Sequence, residues 1–134
     1  MATLSSLLSS TYAGTPGATG SWQQVRVSST TSASSVTPNI TNYDEYAFTA
    51  LAATLTINTP SGSPADGNKL LFRITDNGSA QTLSWQGATG ATGSYLPIGT
   101  TLPTVTTANK TVYVGCIYNA ALYRWEVVSV AQQS

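Results

Sequence analysis

The chain of 134 residues has no histidine, one cysteine, one methionine and few charged side chains, five basic and five acidic. Each shortage removes a class of function. Without imidazole there is no Ser-His-Asp triad, no histidine proton shuttle and no imidazole metal ligand. A single cysteine makes no intramolecular disulfide, and without histidine it cannot complete the four-ligand set of a structural zinc. Cys116 lies in an alternating apolar stretch and is expected to be a small core residue. Five basic side chains cannot neutralise the run of phosphates that nucleic-acid binding requires, so nucleic acid is not an expected partner. The same scarcity argues against attraction to an anionic membrane, and no apolar run approaches the roughly 20 residues that span one. The opening MATLSSLLSSTYAG lacks the basic region of a secretory signal, and synthesis in the cytoplasm is expected.

The few carboxylates show no catalytic pattern. Asp44 and Glu45 are adjacent, so a strand would point them to opposite faces. A glycosidase pair needs two carboxylates facing one cleft, and nothing sets Asp44 or Glu45 opposite Asp66, Asp76 or Glu126. Asp76, Asn77 and Gly78 lack the spaced oxygen ligands of an EF-hand loop and read as turn chemistry. No G-x-S-x-G elbow singles out a nucleophile among the many hydroxyls. No catalytic residue, metal site or cofactor is therefore expected, and a non-enzymatic protein is. Threonine and serine are abundant, and the formal net charge is zero, a balance that favours self-association. A chain of this length forms one domain and buries about two-thirds of its unfolded surface.

Two parts are expected, an arm over residues 1–20 and a domain over 21–134. In the arm Leu4, Leu8 and Tyr12 repeat at helical spacing with Leu7 beside them. A helix so short needs a partner to be ordered, and a frayed terminus is the competing reading. Gly14, Gly17 and Gly20 then recur every third residue, the collagen period in miniature, which reads either as a trimer-axis remnant or as a flexible linker. From Trp22 onward the period becomes two. Val25 and Val27 alternate with Gln24 and Arg26, Tyr46 and Phe48 share a face, Leu55 and Ile57 mark another strand, and Leu70, Phe72 and Ile74 alternate with Leu71 and Arg73. Asn77-Gly78 fits a type I′ hairpin turn leading into a strand ending at Trp85. Gly87, Gly90 and Gly93 form a glycine loop after Trp85, which makes that ring the best-placed aromatic for an exposed contact, against the competing role of filling the core. Val112, Val114 and Cys116 share one face. The chain turns at Asn119 to Ala121, and Tyr123, Trp125 and Val127 share one face of the next strand. The result is a C-terminal hairpin with both faces partly covered, one meeting the core and the other a second sheet or a neighbouring subunit. Seven or eight short strands with no helix beyond the arm predict an all-β fold, a sandwich or jelly roll.

The stretch from Ala65 to Gln132, opening ADGNKLLFRITDNGSAQTLSW and closing TLPTVTTANKTVYVGCIYNAALYRWEVVSVAQ, resembles structural modules of tailed-phage virions. Similar segments make up or end capsid-decoration, head-fibre and tail-fibre proteins. The resemblance implies a homotrimer on the virion surface. The first expectation is a capsid decoration, or cement, protein whose Leu4, Leu7, Leu8 and Tyr12 anchor it to the major capsid protein. The alternative is a fibre module recognising a host surface glycan or protein through Trp85 and the glycine loop. A small jelly-roll lectin or hydrolase is a third class, and no catalytic constellation supports the hydrolase.

Overall fold

A computed structural model describes residues 24–86 and 92–134 of the chain. These residues are all-β, with no helix among them, as the period-two patterning predicts. The strands are β1 (Val27–Thr30), β2 (Ser35–Val36), β3 (Glu45–Leu51), β4 (Leu55–Ile57), β5 (Lys69–Asp76), β6 (Leu83–Trp85), β7 (Tyr95–Pro97), β8 (Thr111–Asn119) and β9 (Arg124–Gln132). They form a six-stranded sheet in the order β1-β3-β5-β8-β9-β7 and a three-stranded sheet in the order β2-β4-β6.

The chain alternates between the sheets: each odd strand up to β5 joins the large sheet and each even strand up to β6 the small one. Every return lays a strand parallel to its predecessor, with Val27, Glu45 and Leu71 in one register and Ser35, Thr56 and Ser84 in the other. Parallel strands need a long crossover. Here a strand of the opposite sheet supplies it in place of a helix. The coil ends at β8, which pairs antiparallel with both β5 and β9, and β7 closes the far edge parallel to β9. The predicted C-terminal hairpin is thus present.

The expected hairpin at Asn77-Gly78 is not. Strands β5 and β6 lie in different sheets, and Gly78, at φ 99°, begins a crossing between them. Asn-Gly chemistry specifies a turn with positive φ, which serves a crossing as well as a hairpin. The sequence also undercounts the strands. β2 lies within a Ser/Thr stretch that carries one apolar residue, Val36, too weak a signal for alternation.

Strict alternation in β5 and β8 sends Leu70, Phe72, Ile74, Val112, Val114, Cys116 and Tyr118 inward, where they meet Leu55, Ile57 and Leu83 of the small sheet in one core. Phe72, wholly buried, holds edge-to-face contacts with Trp85 of the small sheet at 5.2 Å and with Tyr95 at 6.0 Å, and Trp85 and Tyr95 meet at 5.2 Å. These separations suit the ring quadrupoles. The Tyr95 hydroxyl donates to the Asn58 carbonyl at 2.9 Å, so its polar end is satisfied at depth. Because Phe72 touches both sheets, Phe72→Ala is expected to lower the unfolding free energy by about 3–5 kcal/mol in urea titration. A loss below about 1 kcal/mol would show that the core closes around the gap.

Candidate interaction surface

The outward face of the large sheet holds the features a partner would meet. Outward positions of successive strands stand in rows, one of them Val27, Glu45, Leu71, Gly115 and Ser129, the next Ser29, Ala47, Arg73, Tyr113 and Ala131. Two ion pairs on this side lie within the chain. Arg73 Nε meets Glu45 Oε1 at 2.8 Å. Arg26 clasps Asp44 through Nε at 3.0 Å and through its terminal nitrogen at 2.7 Å, while its backbone N–H also donates to Asp44 at 3.0 Å. Hydrogen bonding from Arg26 holds the Asp44 carboxyl below its ordinary value. The clasp ties the segment entering the domain to the start of β3.

Beside these pairs lies a groove of about 440 Å³ lined by Val25, Leu71, Gly115, Ile117 and Val128, with Asp44, Glu45 and Lys69 among its polar members. Val25 is 63% exposed and Val128 46%. Val128 is pushed outward by a bulge, because Gly115 pairs with Ser129 while Cys116 pairs with Val127, leaving Val128 the extra residue. Gly115 is constrained from the same side, since a Cβ there would lie 2.6 Å from Ser129 Oγ. Alternation hints at this surface, because Leu71 and Ile117 are apolar residues on the non-core face of their strands. What sequence reading misses is the contribution of Val25, just before β1, and of Val128, which a bulge turns outward.

Of the residues singled out from sequence, Leu4, Leu7, Leu8, Tyr12, Gly14, Gly17, Gly20, Gly87 and Gly90 lie outside the described residues. Trp85 is half-buried, packed on Phe72 and Tyr95, and its indole N–H donates to the Pro103 carbonyl at 2.8 Å. The core role therefore takes most of the ring; the remainder lines a shallow groove with Leu102 and Thr104. Gly93 has φ 77° and donates its N–H to the Tyr123 carbonyl at 2.6 Å, which joins the end of the glycine loop to the β8–β9 turn. Glu126 accepts from the Asn119 side chain at 3.0 Å, and Asp66 accepts from the Ala120 N–H at 2.9 Å.

Asp76 is the one acidic residue buried among the described residues, at 4% exposure, and its surroundings make it structural. One oxygen accepts from the N–H groups of Gly78 and Asn109, each at 2.9 Å, and the other from the Thr106 hydroxyl at 2.8 Å. Thr106 Oγ1 in turn accepts from the Gln81 N–H at 2.8 Å. Burial alone would raise this carboxyl, but its three donors outweigh that and hold it below the ordinary carboxylate value. No cluster of three or more cysteine or carboxylate ligands exists among the described residues.

No protein-family model matches the chain, and comparison with curated proteins finds no match.

Asp76→Ala is expected to cost about 2–4 kcal/mol, because it strands buried donors. The native carboxyl ionises below its unfolded value of about 3.9, so its contribution is complete above that pH and is lost as pH falls through the native value. The stability gap between the natural chain and Asp76→Asn should accordingly narrow as pH falls below the ordinary carboxylate value of about 4 in chemical denaturation. A gap independent of pH would show that the charge does not bear on stability.

Proposed function

We propose that this chain is a non-enzymatic structural subunit of a tailed-phage virion, a decoration protein that binds the outside of the head and strengthens contacts between major capsid proteins. The observation that carries the reading is where the chain enters the domain. Val25 lines the outward groove and Gln24 a hollow next to it, so the described chain begins beside a face that carries two ion pairs internal to the chain. In this reading the arm and that face act together as one contact surface, a clip across shell subunits. The 65–132 stretch, which carries the resemblance to virion modules, supplies β5 through β9 and hence most of that face.

In this reading the two sheets are the layers of a sandwich, the working unit is a homotrimer, and Leu4, Leu7, Leu8 and Tyr12 are the capsid anchors. Near-zero net charge supports close packing of many copies, since it imposes no long-range repulsion. A stable contact buries about 1,200–2,000 Å², more than the groove alone provides, and the arm makes up the remainder. The second reading, a fibre module that grips a host surface glycan, draws on the part of Trp85 that lines the groove with Leu102.

The test is co-sedimentation of the purified protein with expanded capsids of its phage. Binding is expected to saturate with the full chain and to vanish when residues 1–13 are removed, while the circular dichroism of the β domain stays unchanged. Undiminished binding by the shortened chain would remove the arm from the account. Binding to host cells or lipopolysaccharide in place of capsids, lost in Trp85→Ala, would favour the fibre reading.

A further inference from the structure

We infer that Asn77 is a latent modification site, kept from cyclising with the Gly78 nitrogen by the hydrogen bonds of the β5–β6 crossing and released when that crossing opens. Asn77-Gly78 is the one Asn-Gly step in the sequence. Glycine has no Cβ to keep its amide nitrogen from the preceding side chain, so an asparagine cyclises most readily at such a step. The Gly78 nitrogen attacks Asn77 Cγ and forms the N–Cγ bond. The Cγ–Nδ2 bond breaks, and ammonia leaves with the proton that the Gly78 nitrogen gives up. Water, the only co-reactant, then opens the succinimide at either carbonyl. Breaking the new N–Cγ bond gives aspartate, and breaking the original peptide bond gives isoaspartate.

Asn77 is exposed to solvent, yet the groups that ring closure needs are already engaged. The Gly78 N–H donates to Asp76 Oδ1 at 2.9 Å, and that buried carboxylate is itself fixed by donors from Thr106 and Asn109. Asn77 Oδ1 accepts from the Ser79 N–H at 3.2 Å and from Gln81 Nε2 at 3.4 Å, which holds the side-chain amide in turn geometry. The Asn77 N–H donates to the Leu51 carbonyl at 3.0 Å and ties this turn to the end of β3. An amide whose proton is held by an anion resists deprotonation and is a poor nucleophile. Asp76 draws its donors from the turn after β5 and the loop before β8, so local separation of the two frees the Gly78 N–H. The change is one-way. Isoaspartate lengthens the backbone by a methylene, and aspartate sets a second carboxylate beside Asp76, so neither product closes the crossing as before. Asp66-Gly67, the one Asp-Gly step, cyclises by the same attack with loss of water, but its lock is separate. The Gly67 N–H donates to the Tyr118 carbonyl at 2.9 Å, and Asp66 accepts from the Ala120 N–H at 2.9 Å.

Peptide mapping of the full-length chain after incubation in mildly alkaline buffer tests this. Trypsin leaves Asn77 on the fragment that follows Arg73 and Asp66 on the one that ends at Lys69, so mass spectrometry follows the two steps separately. Asn77 is expected to be modified at least about tenfold more slowly in the folded natural chain than in urea, because the rate follows the open fraction. In Asp76→Ala, with its fold checked by circular dichroism, modification of Asn77 should speed up at least about tenfold while Asp66 keeps its natural rate. Thr106→Val, which removes one donor and leaves the carboxylate, should act in the same direction by less, and it carries the test where Asp76→Ala does not fold. Equal rates at Asn77 in the folded and unfolded natural chain would overturn the inference, as would an unchanged rate in the folded variants. Parallel acceleration at Asn77 and Asp66 would also overturn it, since global unfolding would then control the site in place of Asp76.

Discussion

The contact between Phe72 and the Trp85–Tyr95 pair is the interaction on which the rest of the architecture depends. Phe72 is in the middle of β5, the strand at which the large sheet changes from parallel to antiparallel pairing. Trp85 comes from the small sheet and Tyr95 from the far edge of the large one. One ring therefore joins the small sheet to two strands of the large sheet that are not neighbours in it. The small sheet has only three short strands, and isolated strands of that length are marginal, so its order derives from burial of Leu55, Ile57, Leu83 and Trp85 against the larger sheet. Asp76 does for the crossing after β5 what the aromatic cluster does for the core. It gathers the loose N–H groups and a hydroxyl of two loops on a single carboxylate.

Much of this was legible in the sequence, and the parts that were not have definite physical reasons. Alternation located β5, β8 and β9 and most of their inward residues, because each strand is half-buried and long enough for a period of two to register. Alternation does not say which strand is a neighbour. The Asn77-Gly78 turn satisfies a hairpin and a crossing equally, and the parallel coil followed from the latter. Trp85 suggested exposure because glycines follow it, yet its indole N–H is taken up by Pro103. The outward groove was half visible, in Leu71 and Ile117, and half hidden, since the bulge that turns out Val128 has no signature in composition.

The same features that leave the chain without imidazole or a cluster of carboxylates leave its surface suited to contact. Its ion pairs, Arg26–Asp44 and Glu45–Arg73, are closed within the domain, so a partner meets hydroxyls, apolar side chains and few free charges. Specificity on such a face rests on shape.

The most direct test of the proposed decoration role is immunogold labelling of purified source virions with antibody raised against this chain. Gold distributed over the head is the predicted result. Gold confined to the tail tip, or none on the virion, would contradict it.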